Sequence, residues 1–178
     1  MDLVKVKDKT FRPFISSEKI DVRIDEMAAQ INDDLKDDDL LFIGVLNGSF
    51  MFVADLYRRI DLNSQISFLK LSSYDGMESS GNIRRLIGLN EDLRGKTVVV
   101  IEDIIDTGET LQGIISDLGE KGAKAIKVVT LLLKPDAYEG SYDIDYVGFE
   151  IPNDFVVGYG LDYDGFGRNL DSVYALAE

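Results

Sequence analysis

The run Val98-Val99-Val100-Ile101-Glu102-Asp103-Ile104-Ile105-Asp106-Thr107-Gly108-Glu109-Thr110-Leu111 constrains this chain more than any other segment. Four apolar residues lead into two adjacent carboxylates. Two more apolar residues and a third carboxylate follow, and a turn of hydroxyls and glycine then passes into helical periodicity. A strand apolar on both faces belongs inside a parallel sheet, where both faces are covered. In open α/β sheets ligands collect where such strands end. The turn from Asp106 to Thr110 can aim backbone N–H groups and two hydroxyls at one anion, helped by the start of the next helix. An acid pair, a lone acid and a phosphate cradle on one turn suit a phosphorylated, metal-bound sugar.

Taken singly, these residues have plainer roles: an acidic strand end is a solvated loop, and Thr107 or Thr110 caps a helix. The run as a whole is different, because Glu102, Asp103 and Asp106 crowd like charge with no basic residue between them. Such crowding is costly unless a cation relieves it. A Walker-type loop is excluded, since no Gly-Lys-Ser/Thr follows. A receiver domain also sets acids at strand ends, but it does not supply this Thr-Gly-Glu-Thr turn.

The rest of the chain alternates strand and helix signals. Ser16 or Ser17 caps a helix running to about Lys36, with Ile20, Ile24, Met27, Ala28, Ile31 and Leu35 as its apolar stripe. Leu40 to Leu46 reads as a strand, turned by Asn47-Gly48-Ser49 into a helix with Phe50, Val53, Leu56, Tyr57 and Ile60 on one side. Strands are expected at Ile66–Ser72, Val98–Ile101, Ala125–Leu133, Val147–Ile151 and Phe155–Gly158. The helix after the central motif carries Leu111, Ile114, Ile115 and Leu118 and stops near Gly119 to Gly122. This alternation implies right-handed crossovers and a mainly parallel sheet. The Gly- and Ser-bearing stretch from Tyr74 to about Arg85 is long for a compact domain and reads as a flap, with a β-ribbon arm at Leu86–Leu89.

Composition narrows the chemistry. At 178 residues and 45% hydrophobic, the chain suits one domain over residues 1–178. Met1 to Thr10 is charged and lacks a signal-peptide core, and no apolar run is long enough for a membrane span, so a cytoplasmic protein is expected. There is no cysteine and no histidine. Thiolate nucleophiles and imidazole acid–base chemistry are therefore absent, and proton transfer falls to Asp, Glu, Lys or Tyr. A net charge of −14 argues against nucleic acid as a partner.

Residues Val98 to Leu111 resemble the phosphoribosyl-pyrophosphate motif of type I phosphoribosyltransferases, most closely the hypoxanthine(-guanine) branch. Further blocks resemble that branch in the same order: Leu46-Asn47-Gly48-Ser49, Ser73-Tyr74, Leu132-Leu133-Lys134 and Val147-Gly148-Phe149-Glu150-Ile151-Pro152. Phe155-Val156-Val157-Gly158-Tyr159 and Leu161-Asp162-Tyr163 follow, with Arg168 shortly after. The resemblance implies a central parallel sheet flanked by helices, with a small hood from the chain-terminal segments. It implies transfer of 5-phosphoribosyl from phosphoribosyl pyrophosphate to a 6-oxopurine, giving IMP or GMP, with Mg²⁺ as cofactor and a homodimer or homotetramer as the assembly.

Roles carry over residue by residue. The resemblance places Glu102 and Asp103 beside the ribose hydroxyls and the metal, with Asp162 as a second metal contact near the base. Asp106 is the catalytic residue, and Asp106, Thr107, Gly108, Glu109 and Thr110 hold the 5′-phosphate. Lys134 reaches the 6-oxo group, Phe155 stacks on the purine, and Val156 gives main-chain contacts. Asn47, Gly48, Ser73, Tyr74 and Arg168 serve the pyrophosphate, in a loop where the family often has a non-proline cis peptide. Many relatives carry lysine where this chain has Asn47, so its loop holds one cation fewer. Two other readings share these motifs: a regulator of this fold that binds RNA or DNA, which the net charge disfavours, and a xanthine-preferring transferase.

Overall fold

The computed structural model describes residues 2–72, 84–87 and 90–177. Its centre is a six-stranded sheet built from β3 (Leu40–Leu46), β4 (Ser64–Ser72), β5 (Arg84–Ile87), β6 (Thr97–Ile105), β7 (Ala125–Leu133) and β8 (Tyr146–Glu150), in the order β5-β4-β3-β6-β7-β8. All neighbours are parallel except β5, which runs antiparallel on the β4 edge. The expected arm is thus present, shifted toward Arg84. Ser73, Tyr74 and the rest of the proposed flap before Arg84 lie outside the described residues.

The apolar run of β6 does what its composition demands. Val99 and Ile101 pack into one core with helix α1 (Ser17–Asp34) and helix α2 (Phe50–Tyr57). Val98 and Val100 pack into a second core against helix α3 (Glu109–Glu120). Each face of the strand therefore removes aliphatic side chains from water, roughly 1.5–3 kcal/mol for each fully buried residue. Ser16 caps α1, its side chain accepting a hydrogen bond from the Lys19 amide at 3.4 Å. Arg59 at the end of α2 is tied back to α1 through Asp21 and Asp25.

Two details differ from the sequence reading. Phe50 is exposed, and the buried face of α2 is Phe52, Val53 and Leu56. Phe50-Met51-Phe52-Val53 are all apolar, so periodicity alone could not set the helix phase. The central strand also runs four residues past Ile101, so Glu102 and Asp103 sit within it rather than beyond its end.

A second, antiparallel sheet joins the two ends of the chain. It contains β1 (Val4–Val6), β2 (Lys9–Ile15), β9 (Val156–Val157) and β10 (Val173–Leu176) in the order β1-β2-β10-β9. This is the hood expected from the family, although β1, β2 and β10 carry no strong strand signal of their own. Phe11, Val157 and Tyr174 form its small core with Val6.

Candidate active site

The site forms at the C-terminal edge of β3 and β6. Gly44 is level with Ile101, so the two strands deliver Leu46 and Asp103 to the same edge. After β3 the chain turns through Asn47-Gly48-Ser49, with a cis peptide between Leu46 and Asn47. Buried Ser49 ties the turn down by donating its hydroxyl to the Val45 carbonyl at 2.5 Å. Gly48 lies directly on the Asp103 carboxylate: a Cβ at Gly48 would fall 1.5 Å from Asp103 Oδ2. Gly160 also approaches so closely that a Cβ there would fall 2.0 Å from the Gly48 carbonyl oxygen.

The acids behave as their surroundings require. Glu102 is buried, and burial followed by the neighbouring Asp103 charge holds its carboxyl well above the usual carboxylate range. Asp103 is pushed up to about 6, chiefly by burial and also by Asp162, while nearby backbone amides and Arg168 pull it down. Its Oδ1 accepts from the Ile104 amide at 2.9 Å.

Past Ile105 the chain enters the turn that starts α3. Gly108 caps the helix at φ +87°, a left-handed backbone that a side chain rarely adopts. Its carbonyl accepts from the Gln112 amide at 2.9 Å, and Thr107 Oγ1 accepts from the Glu109 amide at 3.5 Å. Residues Glu102 and Ile104 to Leu111 line a cavity of about 120 Å³ over this turn. A helix start framed by glycine and hydroxyls is an anion site. Glu109 is exposed.

A second cavity of about 360 Å³ adjoins the first along Glu102, Ile104 and Thr110. Val45, Leu46, Asn47, Gly48, Asp103, Asp162 and Arg168 complete its lining. Arg168 donates from Nη1 to the Gly160 carbonyl at 2.7 Å and pairs through Nη2 with Asp162 Oδ1 at 2.7 Å. Asp162 Oδ2 also accepts from the Gly165 amide at 2.6 Å. The expected pyrophosphate, ribose and metal residues thus meet around adjoining space, apart from Ser73 and Tyr74 outside the described residues.

Of the expected base-binding residues, Asp162 lines the second cavity, whereas Lys134, Phe155 and Val156 line neither. The Lys134 amide donates to the Ile105 carbonyl at 3.0 Å, which holds the end of β7 beside the motif turn. Its ammonium is paired with Asp106 Oδ2 at 2.8 Å and its side chain is 12% exposed, whereas Asp106 is 50% exposed. Lys134 is therefore a mostly covered cation facing the catalytic candidate rather than a strand-end charge in water. Phe155 is 46% exposed, with its ring edge-on to Tyr163 at 5.9 Å. Val156 is buried in β9 opposite Ala175. Among the described residues no three acids converge as a preformed metal cage.

The sequence reading missed Val45 and Ile104 in the lining of the second cavity, and the clamp on Gly48 from Asp103 and Gly160. It also missed Tyr138, whose ring lies against Gly108. A glycine between a strand and a helix signalled the clamp, but not which group would press on it.

Comparison with known proteins gives a consistent result. The phosphoribosyl transferase domain family matches residues 16–164. A hypoxanthine-guanine phosphoribosyltransferase of Mycobacterium avium is 44% identical over 91% of this chain and 83% of its own length. A hypoxanthine phosphoribosyltransferase of Salmonella typhimurium is 41% identical over 92% of this chain and 94% of its own. A Staphylococcus aureus hypoxanthine phosphoribosyltransferase superposes with a TM-score of 0.88 at 38% identity, covering 93% of this chain and 91% of that one. A Bacillus anthracis hypoxanthine-guanine phosphoribosyltransferase, solved with HEPES in its active site, superposes at 0.87 and 37% identity over 97% of this chain and 100% of its own.

Proposed function

This chain belongs to the phosphoribosyl transferase family, and from that premise we infer that it is a hypoxanthine phosphoribosyltransferase that also accepts guanine. The reaction displaces pyrophosphate from C1 of phosphoribosyl pyrophosphate by a purine nitrogen, giving IMP or GMP. The observation that carries this reading is the pair of adjoining cavities, one over the Asp106–Thr110 turn and one between Asp103, Gly48, Asp162 and Arg168. They suit a phosphorylated sugar at one end and its pyrophosphate at the other.

As that bond breaks, positive charge develops on the ribose, as in glycosyl transfer. Glu102 and Asp103 hold the ribose hydroxyls and supply negative charge beneath the ring. The amides and hydroxyls of Thr107 to Thr110 hold the 5′-phosphate. Arg168 and the Asn47-Gly48 loop, with Ser73 and Tyr74, receive the pyrophosphate. Asp106 takes the purine proton or stabilises the charged transition state. Lys134, already beside Asp106, donates to the 6-oxo group, Phe155 offers an exposed face for stacking, and Val156 supplies main-chain contacts.

The donor set fits Mg²⁺. Hard oxygen ligands suit it, and it usually binds through one or two carboxylates plus substrate phosphates, so a preformed three-acid cage is not required. Glu102, Asp103 and Asp162 are the residues that would hold it, where it would neutralise the departing pyrophosphate. The acting unit is the single domain of residues 1–178, working in the cytoplasm as a homodimer or homotetramer.

A base panel tests this reading. With phosphoribosyl pyrophosphate present, hypoxanthine and guanine should release pyrophosphate at least ~10³-fold more efficiently than adenine. The ammonium of Lys134 can pair with a 6-oxo acceptor but not with a 6-amino donor. Lys134→Gln should erode the preference, because an amide serves as donor or acceptor. Efficient use of adenine by the wild type refutes the assignment of Lys134. Absence of pyrophosphate release with every base refutes the enzyme in favour of a regulator.

A further inference from the structure

The loop between Lys134 and β8 packs against the anion-binding turn. The Tyr138 ring lies against two glycine backbones at once. A Cβ on Gly108 would fall 2.5 Å from Tyr138 Cε2, and one on Gly140 would fall 2.4 Å from Cζ and from the phenol oxygen. The phenol donates to the Tyr142 carbonyl at 2.7 Å, closing the loop on itself. One residue on, the Glu139 amide donates to the Thr107 carbonyl at 3.1 Å. The Tyr138 amide donates to the Lys134 carbonyl at 3.1 Å, and its ring joins the core that contains Leu111 and Ile105.

This arrangement bears on the weakest part of the turn. Gly108 has a left-handed backbone, and its side of the α3 start has no side-chain cap. Glycine is the least restrained residue in a chain, yet amides that bind an anion must be preorganised to bind it well. Helix α3 fixes the C-terminal side of the turn and strand β6 fixes its N-terminal side. Tyr138 is the large side chain pressed against Gly108 itself.

We propose that Tyr138 is a positioning residue that holds the Asp106–Thr110 turn in its anion-binding conformation, and so sets affinity for the 5′-phosphate of the sugar substrate. The proposal rests on the functional reading above, because it takes the ligand of that turn to be a phosphorylated ribose. It assigns no contact between Tyr138 and substrate. The ring acts through Gly108, and the Glu139–Thr107 hydrogen bond keeps the loop in register with the turn.

Tyr138→Ala should raise KM for phosphoribosyl pyrophosphate about 10-fold, with KM for hypoxanthine and kcat within about threefold of wild type. Tyr138→Phe keeps the ring against both glycines and should restore the wild-type KM. General loosening of the fold would lower the melting temperature without separating the two KM values. Should Tyr138→Ala fail to fold, Gly140→Ala serves instead, because its new methyl displaces the ring and should give the same substrate-specific rise. Calorimetric titration with ribose 5-phosphate keeps the two readings apart, since it requires neither base nor transfer. A Kd about 10-fold weaker in Tyr138→Ala supports the positioning role even if no base is turned over, whereas loss of transfer in the wild type speaks only against the function. An unchanged Kd for ribose 5-phosphate in both variants overturns the proposal, as does an equal rise in both KM values.

Discussion

Gly48→Ala is the smallest substitution that should disable the site, and its geometry sets the scale. The added methyl would lie 1.5 Å from Asp103 Oδ2 and 2.5 Å from Asp103 Cγ. Comfortable contact needs about 3.5 Å, so roughly 2 Å must be found somewhere. The loop is also packed closely against Gly160, where a Cβ would fall 2.0 Å from the Gly48 carbonyl oxygen, which restricts its retreat. The Asp103 side chain is the mobile partner, and it must leave the ribose position assigned to it. A misplacement of about 1 Å in a reacting constellation can cost on the order of 10²-fold, so kcat/KM for the phosphoribosyl donor should fall by ~10² or more. Overpacking costs about 1–3 kcal/mol, which for a chain of this size lowers Tm by several degrees without unfolding it at 25 °C. Steady-state pyrophosphate release and a thermal melt measure the two effects separately. Gly119→Ala is the control: a Cβ there meets nothing within 4 Å, near the end of α3, so activity should be unchanged and stability up to about 1 kcal/mol higher. A Gly48→Ala enzyme within threefold of wild type would refute the claim that Asp103 must sit where Gly48 allows it.

Asp106→Asn keeps size and polarity but removes the charge, so kcat should fall on the order of 10²-fold or more with a smaller effect on donor binding; a kcat within a few-fold of wild type would move the role elsewhere. Turnover should vanish in excess EDTA and return with Mg²⁺, and full turnover in chelator would remove the metal from the mechanism. Asp103 predicts a pH effect on stability. Its carboxyl rises from an ordinary 3.8 to about 6 on folding, so between those values the folded state holds a proton that the unfolded state has released. Stability from this group therefore falls as pH rises through that window and stays lower above it, by up to about 3 kcal/mol. Asp103→Asn does not titrate, so urea melts without metal should show the variant gaining on wild type from pH 4 to pH 7, and parallel pH profiles would contradict the assignment.

What could be read from the sequence follows from how local each signal is. β3 and β7 were legible to the residue, because short, mostly apolar runs bounded by polar turns read as buried strands; β7 is interrupted only by Lys127 and Thr130. The make-up of the site turn was legible because its acids, hydroxyls and glycine occupy consecutive positions. The phase of α2 was not legible, since Phe50 to Val53 are uniformly apolar and the sheet alone decides which of them is buried. The hood was legible only by resemblance, because β1, β2 and β10 are stabilised by pairing between opposite ends of the chain. The partner pressing on Gly48 and the Tyr138 contact with Gly108 were invisible, since each joins segments dozens of residues apart whose side chains carry no mutual pattern.

The charges of the site also bear on how so acidic a protein takes a polyanionic substrate. Arg168 lines the second cavity and Lys134 lies beside the motif turn, and each is held by a carboxylate: Asp106 for Lys134 at 2.8 Å and Asp162 for Arg168 at 2.7 Å. Such pairing fixes the cations in advance, so their orientation need not be organised during reaction. It also means that substrate phosphate or purine oxygen must compete with an internal partner, which lowers affinity for any ligand lacking a cation of its own. Glu102 and Asp103 impose the complementary condition, because burial first, and then the charges of Asp103 and Asp162 respectively, hold their carboxyl groups high. A magnesium–pyrophosphate unit would meet both conditions together: its metal would relieve the acids while its oxygens would satisfy the cations. In the proposed reaction, discrimination against free phosphates thus arises from the site's own ion pairs, and a protein of net charge −14 binds its donor through a balanced local field rather than a basic surface.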